Sequence, residues 1–199
     1  MQFHPGRRSA AVRRALAPGG EVLVGFVGRL AVEKQIDLLT DVSRLPGVRL
    51  VVVGDGPAAS TLRAAMPAAT FLGLRRGADL AELYASFDIF AHTSPYETFG
   101  QAVQEAMASG LPVVAPNAGG PVDLVDHGRT GYLVPPFRPD GFTEAVRDLV
   151  GNIERRRAFG AAGRAAIEGR SWQAVGDELL GHYEGARGVG GYRRRAVAA

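Results

Sequence analysis

Short apolar runs that alternate with helix-like segments constrain the fold of this chain most strongly. The first run, EVLVGFVG, covers residues 21–28, and the second, VRLVVVG, covers residues 48–54. Runs without polar alternation are typical of parallel strands that are covered on both faces. Four further strands are predicted at residues 69–73, 88–92, 112–115 and 131–134. The pattern predicts an α/β fold, with a doubly wound, Rossmann-like parallel sheet of about six strands.

The segments between and beyond these runs predict helices and domain boundaries. The loop after the first strand leads to a helix that is predicted to continue to about Leu45, where a Pro-Gly pair ends it. Residues 1–20 are interpreted as an interdomain linker with a short basic helix. We predict an ordered domain over residues 21–170, a C-terminal helix over 171–187 and a basic disordered tail over 188–199.

Composition excludes several kinds of site. The 199 residues include no cysteine, so no disulfide framework, thiol nucleophile or cysteine-ligated metal is possible. The four histidines are scattered and lack the HExxH spacing of zinc sites, so we expect no metal site. We also expect no cofactor. No apolar run approaches the ~20 residues that span a bilayer. We therefore expect a cytoplasmic protein.

Basic residues concentrate at the two ends of the chain, which carries a formal net charge of +3. Such termini are either solvated or bind acidic surfaces weakly. The first interpretation is favoured, and it predicts no nucleic-acid partner. Peripheral association with anionic lipid at the inner face of the membrane stays open as the alternative.

The loop after the first strand carries two cations, Arg29 and Lys34. Lys34 is the single lysine among 23 basic residues. In Rossmann-like folds the ligand lies beyond the carboxyl ends of the strands, where the strand order reverses. Two cations there could clamp a diphosphate, one as a planar fork and one as a point charge. The alternative is that Arg29 pairs with Glu33 and Lys34 is solvated.

A second candidate stretch runs from Ser94 to Gly110, out of a strand, across a turn and into an amphipathic helix. Its two glutamates, Glu97 and Glu105, are separated by seven residues. The helix between them is predicted to begin near residues 99–100, and a helix start attracts anions through its unpaired N–H groups. Two hydroxyl-binding carboxylates around a phosphate-sized anion site suit a nucleotide-sugar. Singly, Glu97 could be a helix-start carboxylate and Glu105 a solvated one.

Two other functions remain as alternatives. The segment Gly54-Asp-Gly-Pro-Ala-Ala59 can be read as a dinucleotide fingerprint, and Arg75-Arg76 could then bind the 2′-phosphate of NADP. The segment follows the second strand rather than the first, so a tight glycine turn is the preferred interpretation. The third hypothesis is a non-catalytic interaction module that acts through the basic tail.

The motifs taken together resemble a known enzyme family. They occur in this order: Gly28-Arg-Leu30 with Glu33-Lys34, Val53-Gly-Asp-Gly-Pro57, Glu97-x₇-Glu105, Glu105-Ala-Met-Ala-x-Gly-x-Pro-Val-Val114 and Gly119-Gly120. Over about residues 21–186 the chain resembles the C-terminal, donor-binding domain of retaining GT-B glycosyltransferases of family four. Within that family it is most similar to actinobacterial GDP-mannose-dependent α-mannosyltransferases.

The resemblance implies roles for nine residues. Arg29 and Lys34 would bind the donor diphosphate and stabilise the departing nucleotide, and Glu97 would hold hydroxyls of the transferred sugar. The remaining donor contacts are Leu74 and Arg75 near the base, backbone N–H groups of Thr98, Phe99 and Gly100, and Glu105 on the ribose. Many relatives carry glycine at the position of Thr98, which leaves the donor's identity open.

The resemblance also implies a mechanism and a partner domain. Transfer of a hexose, mannose from GDP-mannose in preference to a UDP-sugar, would proceed with retention onto a glycolipid or other acceptor. The chain has no D-x-D motif, so Arg29 and Lys34 are expected to replace a metal in stabilising the diphosphate. GT-B enzymes have a second, acceptor-binding domain, which would precede residue 1, and the helix over 171–187 would cross back to it. Alone, this chain is expected to bind donor weakly and to transfer little or nothing.

Overall fold

The computed structural model describes residues 2–169, 176–177, 179–183 and 185, and its core is one six-stranded sheet. The strands are β1 Val22–Val27, β2 Val48–Val53, β3 Thr70–Gly73, β4 Ile89–Ala91, β5 Val113–Pro116 and β6 Gly131–Val134. All neighbouring strands are parallel, and their order is β3-β2-β1-β4-β5-β6. This is the doubly wound order, with its switch point between β1 and β4. The predicted fold class is therefore confirmed.

Six α-helices connect and cover these strands. They are α1 Ala10–Leu16, α2 Ala59–Ala65, α3 Gly77–Ser86, α4 Gln101–Ala108, α5 Pro139–Gly151 and α6 Ile153–Ile167. Short 3₁₀ helices occupy Pro5–Arg7, Val32–Lys34, Ile36–Leu39, Val42–Arg44 and Gly120–Asp123. Helices on both faces explain why the strands are apolar throughout, since each face of a parallel sheet must be covered.

Alternate residues of each strand enter two separate cores. Val24 and Val52 pack with α2, α5 and the 3₁₀ turns of residues 36–44 on one face. Leu23 and Val51, their neighbours in sequence, pack with α1, α3 and α4 on the other. The side-chain period of two in a strand produces this division. Both cores lie below the carboxyl edge of the sheet and hold its loops in place.

The helix predicted to reach Leu45 is not a single helix. Three 3₁₀ turns take its place, because Gln35 between the first two adopts a left-handed conformation with φ of 50°. A left-handed residue reverses the helical path, so the turns on either side cannot join. A further 3₁₀ turn, Gly120–Asp123, follows β5.

The chain divides into two compact units, residues 1–167 and residues 168–199. The first 20 residues belong to the first unit: Arg8 and Arg13 both bind the Asp88 carboxylate, at 2.8 and 2.7 Å. Their role as an interdomain linker stays a prediction. In the second unit, residues 176–177, 179–183 and 185 are helical. The remainder of the helix predicted over 171–187 and the whole tail predicted over 188–199 lie outside the described residues.

Candidate functional site

The candidate site lies at the switch point, where the loops after β1 and β4 meet. The hydroxyl of Thr93 donates a hydrogen bond to the carbonyl of Lys34, and the Ser94 hydroxyl donates to the carbonyl of Glu33 at 3.3 Å. Both hydroxyls are buried. These contacts tie the two loops together over about 60 residues of sequence, so the side chains they carry face each other.

Lys34 and Glu97 form the central ion pair of this site. The Lys34 ammonium donates to Glu97 Oε2 at 2.9 Å, and the side chains are 26% and 24% exposed. The interpretation of Lys34 as a solvated lysine is therefore wrong. At this depth a charged hydrogen bond is stronger than a surface ion pair.

The ion pair sets the charge state of Glu97. Burial alone would raise the pKa of this carboxyl, but the hydrogen bond and charge of Lys34 outweigh it and lower the pKa below its usual value. Glu97 is therefore ionised at neutral pH. An ionised carboxylate accepts hydrogen bonds only, which suits hydroxyl donors such as those of a sugar.

Glycines 119 and 120 hold Glu97 in place from the loop after β5. The N–H of Gly120 donates to the carbonyl of Glu97 at 2.6 Å. A Cβ on Gly120 would lie 2.3 Å from the carbonyl oxygen of Thr98, and one on Gly119 would lie 2.6 Å from that of Glu97. No side chain fits between these backbones, so the glycine pair is required for the approach of the two loops.

Helix α4 begins directly after Glu97-Thr98-Phe99. Its N-cap, Gly100, is left-handed with φ of 67° and makes no side-chain cap hydrogen bond. The first N–H groups of the helix therefore lack both an intrahelical partner and a side-chain cap, and carry the positive end of the helix dipole. The predicted helix start at residues 99–100 is thus within one residue of the observed start at Gln101. Thr98 and Phe99 lie exposed on the approach to it.

Glu105 lies one turn further along α4 and is half-buried rather than solvated. Gln101 donates to Glu105 Oε1 at 3.0 Å, yet burial outweighs this contact and raises the pKa of the carboxyl. The buried Tyr84 ring lies on its inner side: burial and the Glu105 charge raise the pKa of the Tyr84 hydroxyl, which has no partner within hydrogen-bond distance in the protein. Glu105 is thus a half-buried acceptor with Gln101 as a hydrogen-bond donor.

The other predicted residues are on the same edge of the sheet but are not drawn into the ion pair. Arg29 is 67% exposed and lies 3.7 Å from Glu33, the pairing that the sequence left open. Leu74 follows β3 and is 57% exposed. Arg75 is exposed and donates to the Leu74 carbonyl at 3.1 Å. Exposed ion pairs such as Arg29–Glu33 contribute little to stability.

The glycines of the dinucleotide-like segment have a packing role. A Cβ on Gly54 would lie 1.9 Å from the carbonyl oxygen of Gly28, and one on Gly56 would lie 2.4 Å from that of Leu30. Leu30 donates to Asp55 and Ala58 donates to Leu30, both at 2.9 Å. The glycines let the loops after β1 and β2 touch, which supports the tight-turn interpretation.

Sequence reasoning missed His92, the residue that ends the strand segment leading into the site. Its side chain is 4% exposed, and its Nε2 is buried without a hydrogen-bond partner in the protein. Burial lowers the pKa of His92 to about 4, Glu97 opposes this shift and Lys34 adds to it. The imidazole is therefore neutral at pH 7 and faces the ion pair. A polar residue at the end of an apolar strand was the available signal.

Within the described residues, no group of three or more His, Asp or Glu side chains is arranged to hold a metal ion. Across the same part of the chain, no helix is long and apolar enough to cross a membrane. An open cleft of about 650 Å³ lies away from the ion pair, between residues 41–45 and the start of α5.

Solved structures share this fold. The chain superposes on Anabaena Alr3699/HepE in complex with UDP-glucose with a TM-score of 0.80 and 25% identity, covering 92% of this chain and 56% of the other. Sucrose-phosphate synthase from Thermosynechococcus elongatus gives a TM-score of 0.78 and 26% identity, over 94% of this chain and 52% of that one.

Sequence relatives are more similar. A GDP-mannose-dependent alpha-mannosyltransferase of Mycobacterium tuberculosis is 50% identical over 200 residues, all of this chain and 51% of the relative. The enzyme of the same description from Mycolicibacterium smegmatis is 48% identical over 94% of this chain and 49% of its own length. The chain thus spans about half the length of these curated relatives.

The sequence profile described as glycosyl transferases group 1 matches residues 21–152, about two thirds of the chain. The match covers the switch-point loops with Lys34 and Glu97, α4 and the glycine pair. Both the predicted family resemblance and the predicted GT-B-type half-fold are confirmed. The chain therefore belongs to the glycosyl transferases group 1 family.

Proposed function

We propose that this chain is the donor-binding half of a retaining glycosyltransferase that transfers mannose from GDP-mannose to a glycolipid acceptor. One observation carries the proposal: the Lys34–Glu97 ion pair lies at the switch point, beside the uncapped start of α4. A cation, an anion-attracting helix end and a hydroxyl-accepting carboxylate match the three parts of a sugar diphosphate. The descriptions of the M. tuberculosis and M. smegmatis relatives support GDP-mannose as the donor.

The diphosphate would lie between the β1 loop and the start of α4. Lys34 contacts it from the ion pair, and Arg29 turns to it from Glu33. That movement costs little, because the Arg29–Glu33 pair is long and exposed. As the glycosyl–phosphate bond breaks, negative charge grows on the diphosphate. Cations and helix N–H groups placed beforehand then stabilise the transition state more than the ground state.

The two carboxylates would bind hydroxyl groups on either side of the diphosphate. Glu97, ionised and held by Lys34, accepts from the hexose. Glu105, half-buried with a raised pKa, accepts from the ribose beside the hydrogen bond that it already accepts from Gln101. Thr98, Phe99 and Gly100 would present backbone N–H groups. Leu74 and Arg75, beyond β3, would lie against the base.

We infer that no metal takes part, because Arg29 and Lys34 supply the positive charge that a divalent cation would otherwise bring. GDP binding should then be equally strong with and without EDTA. A divalent-ion requirement of tenfold or more in affinity would refute this part of the proposal.

The acceptor would bind a further domain, since the curated relatives are about twice as long as this chain. Cytoplasmic location and peripheral association with the membrane remain predictions. Arg8 and Arg13, two of the basic residues near the start, are engaged by Asp88 in the fold. They are therefore less available to a lipid surface than the sequence alone suggests.

Calorimetry with GDP, GDP-mannose, UDP and UDP-glucose tests the proposal directly. We expect GDP-mannose to bind most tightly, and Glu105→Gln to weaken both guanine ligands by about tenfold, the effect of losing one charged acceptor. Asp126→Asn, which neutralises an exposed carboxylate outside the site, is the matched control. NADPH, followed by fluorescence, should give no response. Absence of binding to all four nucleotides would refute the donor-binding role.

Glu97 provides a sharper signature. In the free protein it occupies the Lys34 ammonium, so a phosphate must share that contact. Glu97→Gln should therefore strengthen GDP binding severalfold while it reduces the preference for GDP-mannose over GDP. A variant that binds both ligands more weakly by the same factor would contradict the assigned role.

A further inference from the structure

Exposed apolar side chains are concentrated on one edge of the first unit. In its described part, seven large apolar side chains are exposed. Six of them lie in loops at the carboxyl ends of the strands: Val32, Leu74, Tyr96, Phe99, Val122 and Phe137. The seventh, Ile153, is the first residue of α6. The edge that carries the candidate site is thus the edge that is equipped for apolar contact.

Phe137 is the most unusual of the six. Its backbone is left-handed, with φ of 60°, and within the described residues Gln35 is the one other non-glycine residue with positive φ. A Cβ makes this conformation unfavourable, whereas glycine adopts it freely. Phe137 is nevertheless 55% exposed, so its ring gains little from the core. Strain at an exposed aromatic residue points to a role for the ring outside the fold.

The Phe137 ring meets Tyr96, which is 64% exposed, edge-to-face at a centroid distance of 6.5 Å and an angle of 61°. Tyr96 immediately precedes Glu97. Because β5 separates β4 from β6 in the sheet, the pair bridges the end of β5. Leu74 follows β3 at the opposite end of the sheet, so the pair lies on the sugar side of the proposed donor site and away from its base.

We propose that Tyr96 and Phe137 form a stacking subsite for a pyranose ring, next to the hydroxyl-binding Glu97. The inference rests on the proposed function. A pyranose presents hydroxyl groups at its edge and polarised C–H groups on its apolar face. The former suit an ionised carboxylate, and the latter suit the electron-rich face of an aromatic ring. This corner of the molecule provides both on consecutive residues, Tyr96 and Glu97.

The pyranose has two sources, the hexose of the donor or a sugar unit of the acceptor. Tyr96 points outward while Glu97 is largely buried, so the ring is open to either. The chemistry of recognition is the same in both cases, and the experiment separates them.

The test is NMR of the whole chain, with the aromatic resonances of Tyr96 and Phe137 followed during titration with methyl α-D-mannopyranoside, GDP and GDP-mannose. We expect saturable shifts of both rings with the pyranoside. Tyr96→Ala and Phe137→Gly should each weaken binding of the pyranoside by about 3- to 10-fold, the effect of one aromatic contact. Tyr96→Phe keeps the ring and should keep the affinity. Ile153→Ala, on the other edge, should change nothing.

Further arms separate the outcomes. If the variants reduce the preference for GDP-mannose over GDP, the donor hexose is the source. If the pyranoside still shifts the rings when GDP-mannose is bound, the source is the acceptor. Phe137→Gly relieves the backbone and should melt no lower than the parent chain, so a loss of binding does not reflect unfolding. If Tyr96→Ala and Phe137→Gly bind GDP within twofold of the parent chain, the diphosphate part of the donor site is intact, and a loss of pyranoside binding concerns the stacking subsite alone.

Rings that do not shift with pyranoside or GDP-mannose, while GDP binds, would overturn the subsite and leave the donor site standing. Equal affinity in Tyr96→Ala and the parent chain would also overturn it. Conversely, pyranoside binding without GDP binding would support the subsite and refute the donor site. If the exposed apolar edge served only to pack against other polypeptide, neither ring would shift with pyranoside or GDP-mannose while GDP still bound.

Discussion

Replacing Lys34 with methionine tests the central ion pair most directly. The change keeps most of the side chain's length and apolar stem but removes the ammonium that bonds to Glu97 at 2.9 Å. Both side chains are about three-quarters buried. The variant therefore leaves an ionised carboxylate in a partly desolvated position with its main partner gone.

The magnitude follows from that geometry. Loss of a hydrogen bond between charged groups costs about 1.5–3 kcal/mol, whereas an exposed ion pair contributes about 0–1 kcal/mol. We expect Lys34→Met to reduce the free energy of unfolding at pH 7 by about 2 kcal/mol. For a domain of this size Tm should fall by about 2–4 °C per kcal/mol. GDP should bind about 10- to 100-fold more weakly, because the proposed donor site places the same ammonium against the diphosphate.

The pH dependence has a defined sign. In the parent chain Lys34 holds the pKa of Glu97 below its usual value, so this carboxylate contributes stability above its unfolded pKa of about 4.3. That contribution is lost as the pH falls through the lower, folded pKa. In Lys34→Met, burial remains without the ammonium and the pKa of Glu97 rises. Protonation of Glu97 then removes the unpaired buried charge from the variant. The difference in free energy of unfolding between Lys34→Met and the parent chain should therefore become smaller from pH 7 to pH 4.

Urea denaturation at pH 7 and pH 4.5, with calorimetry of GDP at pH 7, measures these effects. Arg44→Met is the matched control, because its pair with Asp41 at 3.1 Å is 66% and 55% exposed. A double-mutant cycle with Glu97→Gln isolates the pairwise energy. If Lys34→Met cost no more stability than Arg44→Met, or left GDP affinity unchanged, the reasoning would be refuted.

Three further predictions concern the surroundings of the site. Burial lowers the pKa of His92 to about 4, so the free energy of unfolding should fall by up to about 3 kcal/mol as the pH drops from 6.5 to 4. In His92→Gln this dependence on pH should be weaker, as measured by denaturation across that pH range. Asp88→Asn weakens the contacts of this side chain to Arg13 and to the Leu23 N–H. It should lower the free energy of unfolding by about 2–4 kcal/mol and increase the rate of amide exchange in α1. Gly120→Ala would push a Cβ against the Thr98 carbonyl, and should abolish detectable GDP-mannose binding in calorimetry while circular dichroism stays native.

Much of the fold could be predicted locally. Continuous apolar runs placed β1 and β2 within one residue of their observed limits, because strands buried on both faces leave an unmistakable pattern. The prediction of one helix after β1 was wrong, since one left-handed residue, Gln35, divides this region into 3₁₀ turns. Nothing in the local sequence requires Gln35 to be left-handed, and the packing of the 3₁₀ turns of residues 36–44 onto the sheet accounts for it.

The candidate site shows the same division. The sequence by itself determined which residue types stand in the loops at the carboxyl ends of the strands: Lys34, the two glutamates and the helix start between them. It left open whether Arg29 pairs with Glu33 and whether Lys34 is solvated. It marked His92 only as a polar residue at the end of an apolar strand, not as a side chain buried with an unpartnered nitrogen.

Only the tertiary structure decided these points. Lys34 and Glu97 are 63 residues apart in the chain, and they meet because β1 and β4 are neighbours at the switch point. Burial and ion pairing depend on which strands are adjacent and on how closely their loops approach. Burial and ion pairing are therefore properties of the packed sheet. The apolar runs and the turn residues that form this sheet are properties of the sequence.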